Sequence, residues 1–428
     1  MATLVDIPPE LIDAIVEHIP DVASLKSCSL VSPIFRFPCQ KRLHHTLQLE
    51  FTGPDSQRDP RRRLEAVSRR FDESPHLSGF ITRLSVQVIS PWAGPDDQSA
   101  FARRVFNALG HVKKATFENG LRQTASWGSL PPDLGSAVLE WLARRGRTEP
   151  LQGLTFQYIN LPEAVIPVIL GAAASLALQD CALENMATLP SVQSAPSPEI
   201  RALRRFEAHS SWTIVETLCT ARRGYGVSSL GRLAIQLANN NAYLGMFADL
   251  CASSAGTLKS LKLGLESTII HPPQCAFLLQ RFTTPLPHIR TVSIILNGTA
   301  PPDELRTILW VLQHAFRPAV LPSLSRITCI VYNFRSLSPE SLPIAGPEGL
   351  PPTFTSDELT PFDALVVEHP TLKAFVWESN FLDLAPGNGL GDLEAEDKAR
   401  YFERFCVGMK RVMPRSDEME RLVFRRGN

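Results

Sequence analysis

The sequence predicts an α/β protein, three short N-terminal helices followed by a curved, irregular solenoid with parallel strands inside and helices outside. One observation is an apolar phrase, apolar-x-x-apolar-x-apolar, that recurs along most of the chain. The other is a helical pattern over Ile7 to Glu50 that stands apart from it. The phrase is clearest at Leu258/Leu261/Leu263. It returns as Ile81/Leu84/Val86, Val112/Ala115/Phe117, Leu151/Leu154/Phe156, Leu203/Phe206/Ala208, Leu230/Leu233/Ile235, Ile289/Val292/Ile294, Leu324/Ile327/Cys329, Leu372/Phe375/Trp377 and Met419/Leu422/Phe424. Its last two positions lie two residues apart, the strand period that puts alternate side chains on one face. Ala173/Leu176/Leu178 fits less well, and the copies are spaced irregularly, by roughly 22 to 48 residues.

Between the strands lie helical patterns: Phe101/Val105/Phe106/Leu109, Leu305/Ile308/Leu309/Leu312, and Tyr401/Phe402/Phe405/Cys406/Met409. Strand then helix, repeated, gives a parallel sheet lined by helices. Proline, at 35 of 428 residues, exceeds its usual share, so connections are long and irregular. Thr188 to Glu199 and Ser336 to Pro361 read as loops.

A chain of 428 residues is too long for one ordinary core. It requires several domains or an array in which each unit buries its face on the next. Basic and acidic residues balance at 43 each, with a pI near 7.1, against a surface that as a whole tracks nucleic acid or anionic lipid. Eight cysteines are scattered without any Cys-x-x-Cys pair, and read as thiols in a reducing compartment rather than disulfides or a zinc site. Met1 to Asp6 has no signal-peptide pattern, and the most apolar run, Val165 to Leu178, is too short to span a bilayer. The expected location is therefore intracellular, cytoplasmic or nuclear, with no membrane partner.

In the N-terminal segment Pro8 and Pro9 suit a helix start, and Leu11, Ile12, Ile15, Val16 and Ile19 follow on one stripe. Pro20 stops that helix. Asp21 is the expected N-cap of a second, carrying Val22, Leu25, Cys28 and Leu30, and Ser32-Pro33 opens a third. Pro38 is expected to break the third, leaving Cys39 to His45 as a separate turn or two, and Leu47-Gln-Leu49 begins the first strand. Three short helices cannot bury so wide a stripe among themselves. They present it to a partner or cap the repeat array.

Ile7-Pro-Pro-Glu-Leu11, then Ile15, Ile19, Leu25 and Cys28-Ser-Leu-Val31-Ser32-Pro-Ile-Phe35, resembles the F-box over residues 4 to 50. Its opening there is Leu-Pro-x-Glu-Leu and its middle a Leu/Cys-x-x-Val-Ser-x-x-Phe/Trp phrase. Arg36 to Leu43 and Ser74-Pro-His-Leu77 look like segments of fungal F-box proteins with degenerate leucine-rich repeats. Ile7 stands where the family usually has Leu, and Phe35 where it has an aromatic that is often Trp. The resemblance implies an F-box domain at 1–50, a linker helix at 51–76 and a leucine-rich-repeat-like solenoid at 77–428. It also implies a non-catalytic substrate receptor of a Skp-cullin-F-box ubiquitin ligase. Its partners would be a Skp-type adaptor, a cullin scaffold and a target protein. The adaptor contacts it implies are Pro8, Leu11, Ile12, Ile15, Leu25, Val31 and Phe35.

No enzymatic motif stands against that reading. His-Glu-x-x-His, Gly-x-Ser-x-Gly and phosphate-cradling Gly-x-x-x-x-Gly-Lys are absent, so no cofactor or metal is expected. His44 and His45 are adjacent, which on a helix points them apart. Gly224-Tyr-Gly226 and Gly387 to Gly391 read as turns. Arg61 to Arg63 with Arg69 and Arg70 share a helical pattern with Leu64, Val67 and Phe71, a solvated helix face rather than a nucleic-acid patch. What remains is a binding surface on the strands. The expected target contacts are Arg205, His209, Arg232 and Lys262, together with exposed Ile295, Ile330 and Val376.

Overall fold

The recurring phrase folds into parallel strands in which equivalent positions lie side by side. The computed structural model describes residues 7–51, 64–88, 99–121, 123–130, 132–184, 203–219, 227–237, 240–265, 280–281, 284–297, 311–312, 317–334, 356–382 and 395–426. They fall into two units, Met1–Leu203 with His209–Ile214, and Arg204–Ala208 with Val215–Asn428.

The first unit opens with α1 (Pro9–Glu17), α2 (Val22–Val31) and α3 (Pro33–Leu43). Its strands are β1 (Thr46–Phe51), β2 (Arg83–Val88), β3 (Lys114–Asn119), β4 (Ala125–Ser126), β5 (Gly153–Gln157), β6 (Ile159–Pro162), β7 (Ser175–Gln179) and β8 (Leu183–Glu184). Between them lie α4 (Leu64–Glu73), α5 (Ser99–Ala108), α6 (Pro132–Thr148) and α7 (Ile166–Ala172), which pack side by side in chain order. β1, β2, β3, β5 and β7 pair in parallel, each with the next. Leu84, Ala115, Leu154 and Leu176 form one register line, and Val86, Phe117, Phe156 and Leu178 the next, all buried. Phe117 and Phe156 stack at 5.2 Å. The weaker Ala173 copy is thus a full member, since its Leu176 and Leu178 complete both lines.

A second, small parallel sheet joins β4, β6 and β8. The chain reaches it through non-glycine residues at positive φ, Tyr158 at 58° after β5 and Asp180 at 49° after β7. That conformation costs about 1–2 kcal/mol per residue. It is offset by hydrogen bonds, such as Tyr158 N–H to the Gln179 carbonyl at 2.9 Å. On the helical side, Trp141 Nε1 donates to the Leu109 carbonyl at 3.1 Å. Buried Arg145 donates to the Val112 carbonyl at 3.0 Å, which satisfies backbone groups left over beyond α5.

The second unit contains β9 (Arg205–His209) up to Ala208, then β10 (Arg232–Leu237), β11 (Ser260–Leu265), β12 (Thr291–Asn297), β13 (Arg326–Phe334), β14 (Ala374–Leu382) and β15 (Leu422–Arg426). Its helices are α8 (Trp212–Cys219), α9 (Asn241–Ser253), α10 (Ser356–Glu368), α11 (Ala395–Val412) and α12 (Pro414–Glu418). All seven strands pair in parallel in sequence order. Phe206, Leu233, Leu261, Val292, Ile327, Phe375 and Leu422 make one register line; Ala208, Ile235, Leu263, Ile294, Cys329, Trp377 and Phe424 make the other. Trp377 meets Phe362, Phe375 and Phe405 at 5.5 to 6.3 Å, mostly edge-on, and so bridges α10, α11 and the sheet. The last copy departs from the rest. Met419 is exposed and Phe424 half-buried, β15 being the edge strand among the described residues.

Two proline expectations are overturned. Pro38 lies inside a continuous α3, and Pro361, expected at the end of a loop, lies inside α10. In each case burial outweighs one lost backbone bond. Cys39 is fully buried beside Pro38, and Leu359, Phe362 and Val366 are buried around Pro361. The segments Thr52 to Arg63 and Thr188 to Glu199, both glycine-rich stretches, and Leu305 to Trp310 of the expected Leu305-to-Leu312 helix lie outside the described residues.

Asp363 holds the C-terminal helices together. Its carboxylate accepts from Ser416 N–H at 2.8 Å, Ser416 Oγ at 2.5 Å and Arg415 N–H at 3.3 Å, which caps the first turn of α12 from α10. Asp363→Ala strands those donors in a buried site and is expected to cost about 1–3 kcal/mol, read as a lower urea midpoint with an unchanged slope.

Candidate functional site

α1 is amphipathic and α2 and α3 hardly so: the three close on one another, and apolar side chains also point outward. Val16, Leu25 and Cys39 form a small buried core, with Ile19, Cys28, Phe35 and Leu43 packed against it. Asp21 caps α2, accepting from Ser24 N–H at 2.7 Å, and hydrogen bonding from the Ser24 side chain and then from this N–H holds its carboxyl below the ordinary value. Pro9 and Pro33 occupy first-turn positions, where a missing N–H has no helical partner. Arg42 on α3 donates to the Val16 carbonyl at the end of α1, which ties first helix to third. Lys41 and Asp13 reinforce that tie at 3.7 Å, weakly because both are solvated.

Leu11 and Ile15, four residues apart on α1, are exposed at 56% and 48%, while Ile12 and Val16 form the buried stripe beside them. On α2, Leu30 and Val31 are exposed at 82% and 77%, and Val22 is also exposed. Six outward apolar side chains thus lie on the three short helices, the sixth being Phe37.

The expected contact set therefore divides. Pro8, Leu11, Ile15 and Val31 lie on the surface; Phe35 is half-buried against the core. Ile12 and Leu25 are corrected to core residues, since they are 3% and 4% exposed and the helices would have to separate before they met a partner. Val22, Leu30 and Phe37 belong to the outer surface and were not among the expected contacts. The signal was present. Adjacent Leu30 and Val31 cannot share one helix face, and Phe35 and Phe37, two apart, must point in nearly opposite directions. Phe37 meets Phe80 edge-on at 5.0 Å, which docks α3 on the 3-10 turn Pro75–Phe80.

The outer strand residues of the second unit form the other candidate surface. Arg205 and Arg232 are exposed and adjacent in register, and Lys262 is half-buried; His209, also half-buried, belongs to the first unit. Ile295 and Ile330 are half-buried neighbours across β12 and β13. Val376 is corrected to a buried position, 1% exposed, where it stands between Thr328 and Val423 on the flanking strands.

Burial pushes the thiols of Cys39 and Cys181 up to about 11 and that of Cys219 up to about 12, so they stay protonated and poorly nucleophilic at neutral pH. His44 is half-buried, its pKa lowered by burial and then by Arg70 and His76, while His45 Nδ1 lies 2.7 Å from the Arg42 carbonyl. The two rings do not act together. Among the described residues no group of three His, Cys, Asp or Glu side chains converges for a metal, and no helix is long and apolar enough to cross a membrane. Arg69, once a candidate for a basic patch, pairs with Glu65 at 2.9 Å on the solvated face of α4.

No family model matches this chain, and no curated protein does.

The division between core and surface has a direct test. Leu25→Ala is expected to cost about 2–5 kcal/mol through the cavity it leaves, whereas Leu30→Ala stays within about 0.5 kcal/mol. Urea unfolding of the two variants, followed by tryptophan fluorescence and circular dichroism, reads the contrast.

Proposed function

We propose that the chain is the substrate-recognition subunit of a Skp-cullin-F-box ubiquitin ligase. The observation that carries the reading is the outward apolar surface of α1 and α2, with Leu11, Ile15, Leu30 and Val31 at its most exposed points. It coincides with the segment whose sequence resembles the F-box. In this reading that surface docks on a Skp-type adaptor, and through it on a cullin. The repeats continue as a curved leucine-rich-repeat solenoid whose polar strand face holds a target protein. The chain breaks no bond. It holds the target within reach of a charged ubiquitin-conjugating enzyme, and two linked binding sites raise the local concentration of the target lysine.

A second reading is favoured by one contact, the edge-on pair of Phe37 with Phe80. There α1 to α3 only cap a non-catalytic leucine-rich-repeat scaffold. The readings separate on one experiment. Under the receptor reading, Leu11→Glu with Ile15→Glu lowers adaptor affinity at least about 100-fold, so that the adaptor no longer co-purifies. Circular dichroism of the chain stays unchanged because both positions are exposed. Retained adaptor binding in the double variant, or no adaptor on the unaltered protein, overturns it.

A further inference from the structure

The strands of the second unit begin with a line of cations. The residues just before and at the first position of successive strands supply Arg204 and Arg205 on β9, Arg232 on β10, Lys259 on β11, Arg290 on β12, Arg326 on β13 and Lys373 on β14, all exposed. Register sets them in two adjacent rows along one sheet end: Arg205, Arg232 and Arg326 at the first strand position, and Arg204, Lys259, Arg290 and Lys373 one residue earlier. The N–H groups of Gly231, Lys259, Arg290, Ser325 and Lys373 each reach the preceding carbonyl in the series, starting at Arg204, at 2.8 to 2.9 Å. With strands about 4.8 Å apart, six of them set seven positive charges along about 24 Å of edge.

Helix ends do not account for this line. Cations near a helix C-terminus often bond its last carbonyls, and Arg421 shows that arrangement, donating to Val366 at 2.8 Å and Val367 at 3.2 Å on α10. Among the described residues, the side chains of Arg204, Arg232, Lys259, Arg290, Arg326 and Lys373 make no such bond and no ion pair. Among the described residues, Arg205 alone of the seven is matched, by Glu207 at 3.1 Å. Six like charges without an acidic partner among the described residues repel one another, which an anionic partner relieves.

We propose that this edge binds a carboxylate-rich, extended segment of polypeptide. An extended chain turns alternate side chains to one face every 6.6–6.8 Å or so, and about 8 residues therefore lay about four carboxylates along the line. Ser260, Thr291, Ser293 and Thr328 beside it offer hydroxyls to the peptide backbone. Single-stranded nucleic acid fits less well, because the described residues place no exposed aromatic ring there for bases to stack on. As a statement about a ligase target this rests on the receptor reading. As a binding surface it is tested without any adaptor, so either can fail alone.

The test is fluorescence anisotropy of the full-length protein with a labelled peptide of about 8 residues alternating Glu and Ser. Binding is expected to weaken with added salt. Lys259→Glu with Arg290→Glu is expected to weaken it at least about tenfold, while Lys259→Arg with Arg290→Lys retains it. Arg404→Glu with Arg411→Glu, equal in charge and exposed on α11, is expected to leave it unchanged. Absence of peptide binding, an equal loss in the α11 control, or tighter binding of an oligouridylate of the same charge would each overturn the proposal.

Discussion

The lateral alignment of two apolar lines across parallel strands is the constraint on which the structure depends. Each copy of the phrase contributes one residue to each line and one more just before the strand. The register lets Leu154 and Phe156, or Leu261 and Leu263, be covered by their counterparts on both sides. A one-residue slip would turn these side chains to the polar face and bring Thr155 or Lys262 into the core. Loop length is then free to vary, since strand pairing and not spacing along the chain defines the repeat. This is why copies roughly 22 to 48 residues apart still build one kind of element.

This also explains what was legible in the sequence. Period-two apolar pairs survive any connector length, and so every copy, even Ala173/Leu176/Leu178, is a strand. The prolines misled, because a local rule about the backbone was set against burial that only the folded chain reveals: Cys39 beside Pro38, Phe362 beside Pro361. Val376 misled for a related reason. Alternation tells which face a side chain occupies but not whether its neighbours cover it. The two short links at positive φ, Tyr158 and Asp180, carried no sequence signal at all, since neither is glycine.

At the N-terminus the sequence marks apolar residues without saying which of them the bundle keeps. Helical spacing divides Leu11 and Ile15 from Ile12 and Val16, and the structure gives the second pair to the core. The outcome is a bundle held by a small core, by the Arg42 tie to the Val16 carbonyl and by the Asp21 cap, with its outer apolar residues unused for its own stability. Contact through the outer set leaves the helices intact, which suits docking of a preformed surface rather than folding on binding.

The account turns on whether that outer surface receives an adaptor. Hydrogen–deuterium exchange of the full-length protein, with and without a purified Skp-type adaptor, tests this most directly. The account predicts slowed exchange confined to α1 and α2, with β9 to β15 unchanged. Unaltered exchange in those helices at saturating adaptor, or protection that appears only along the strands, would contradict it.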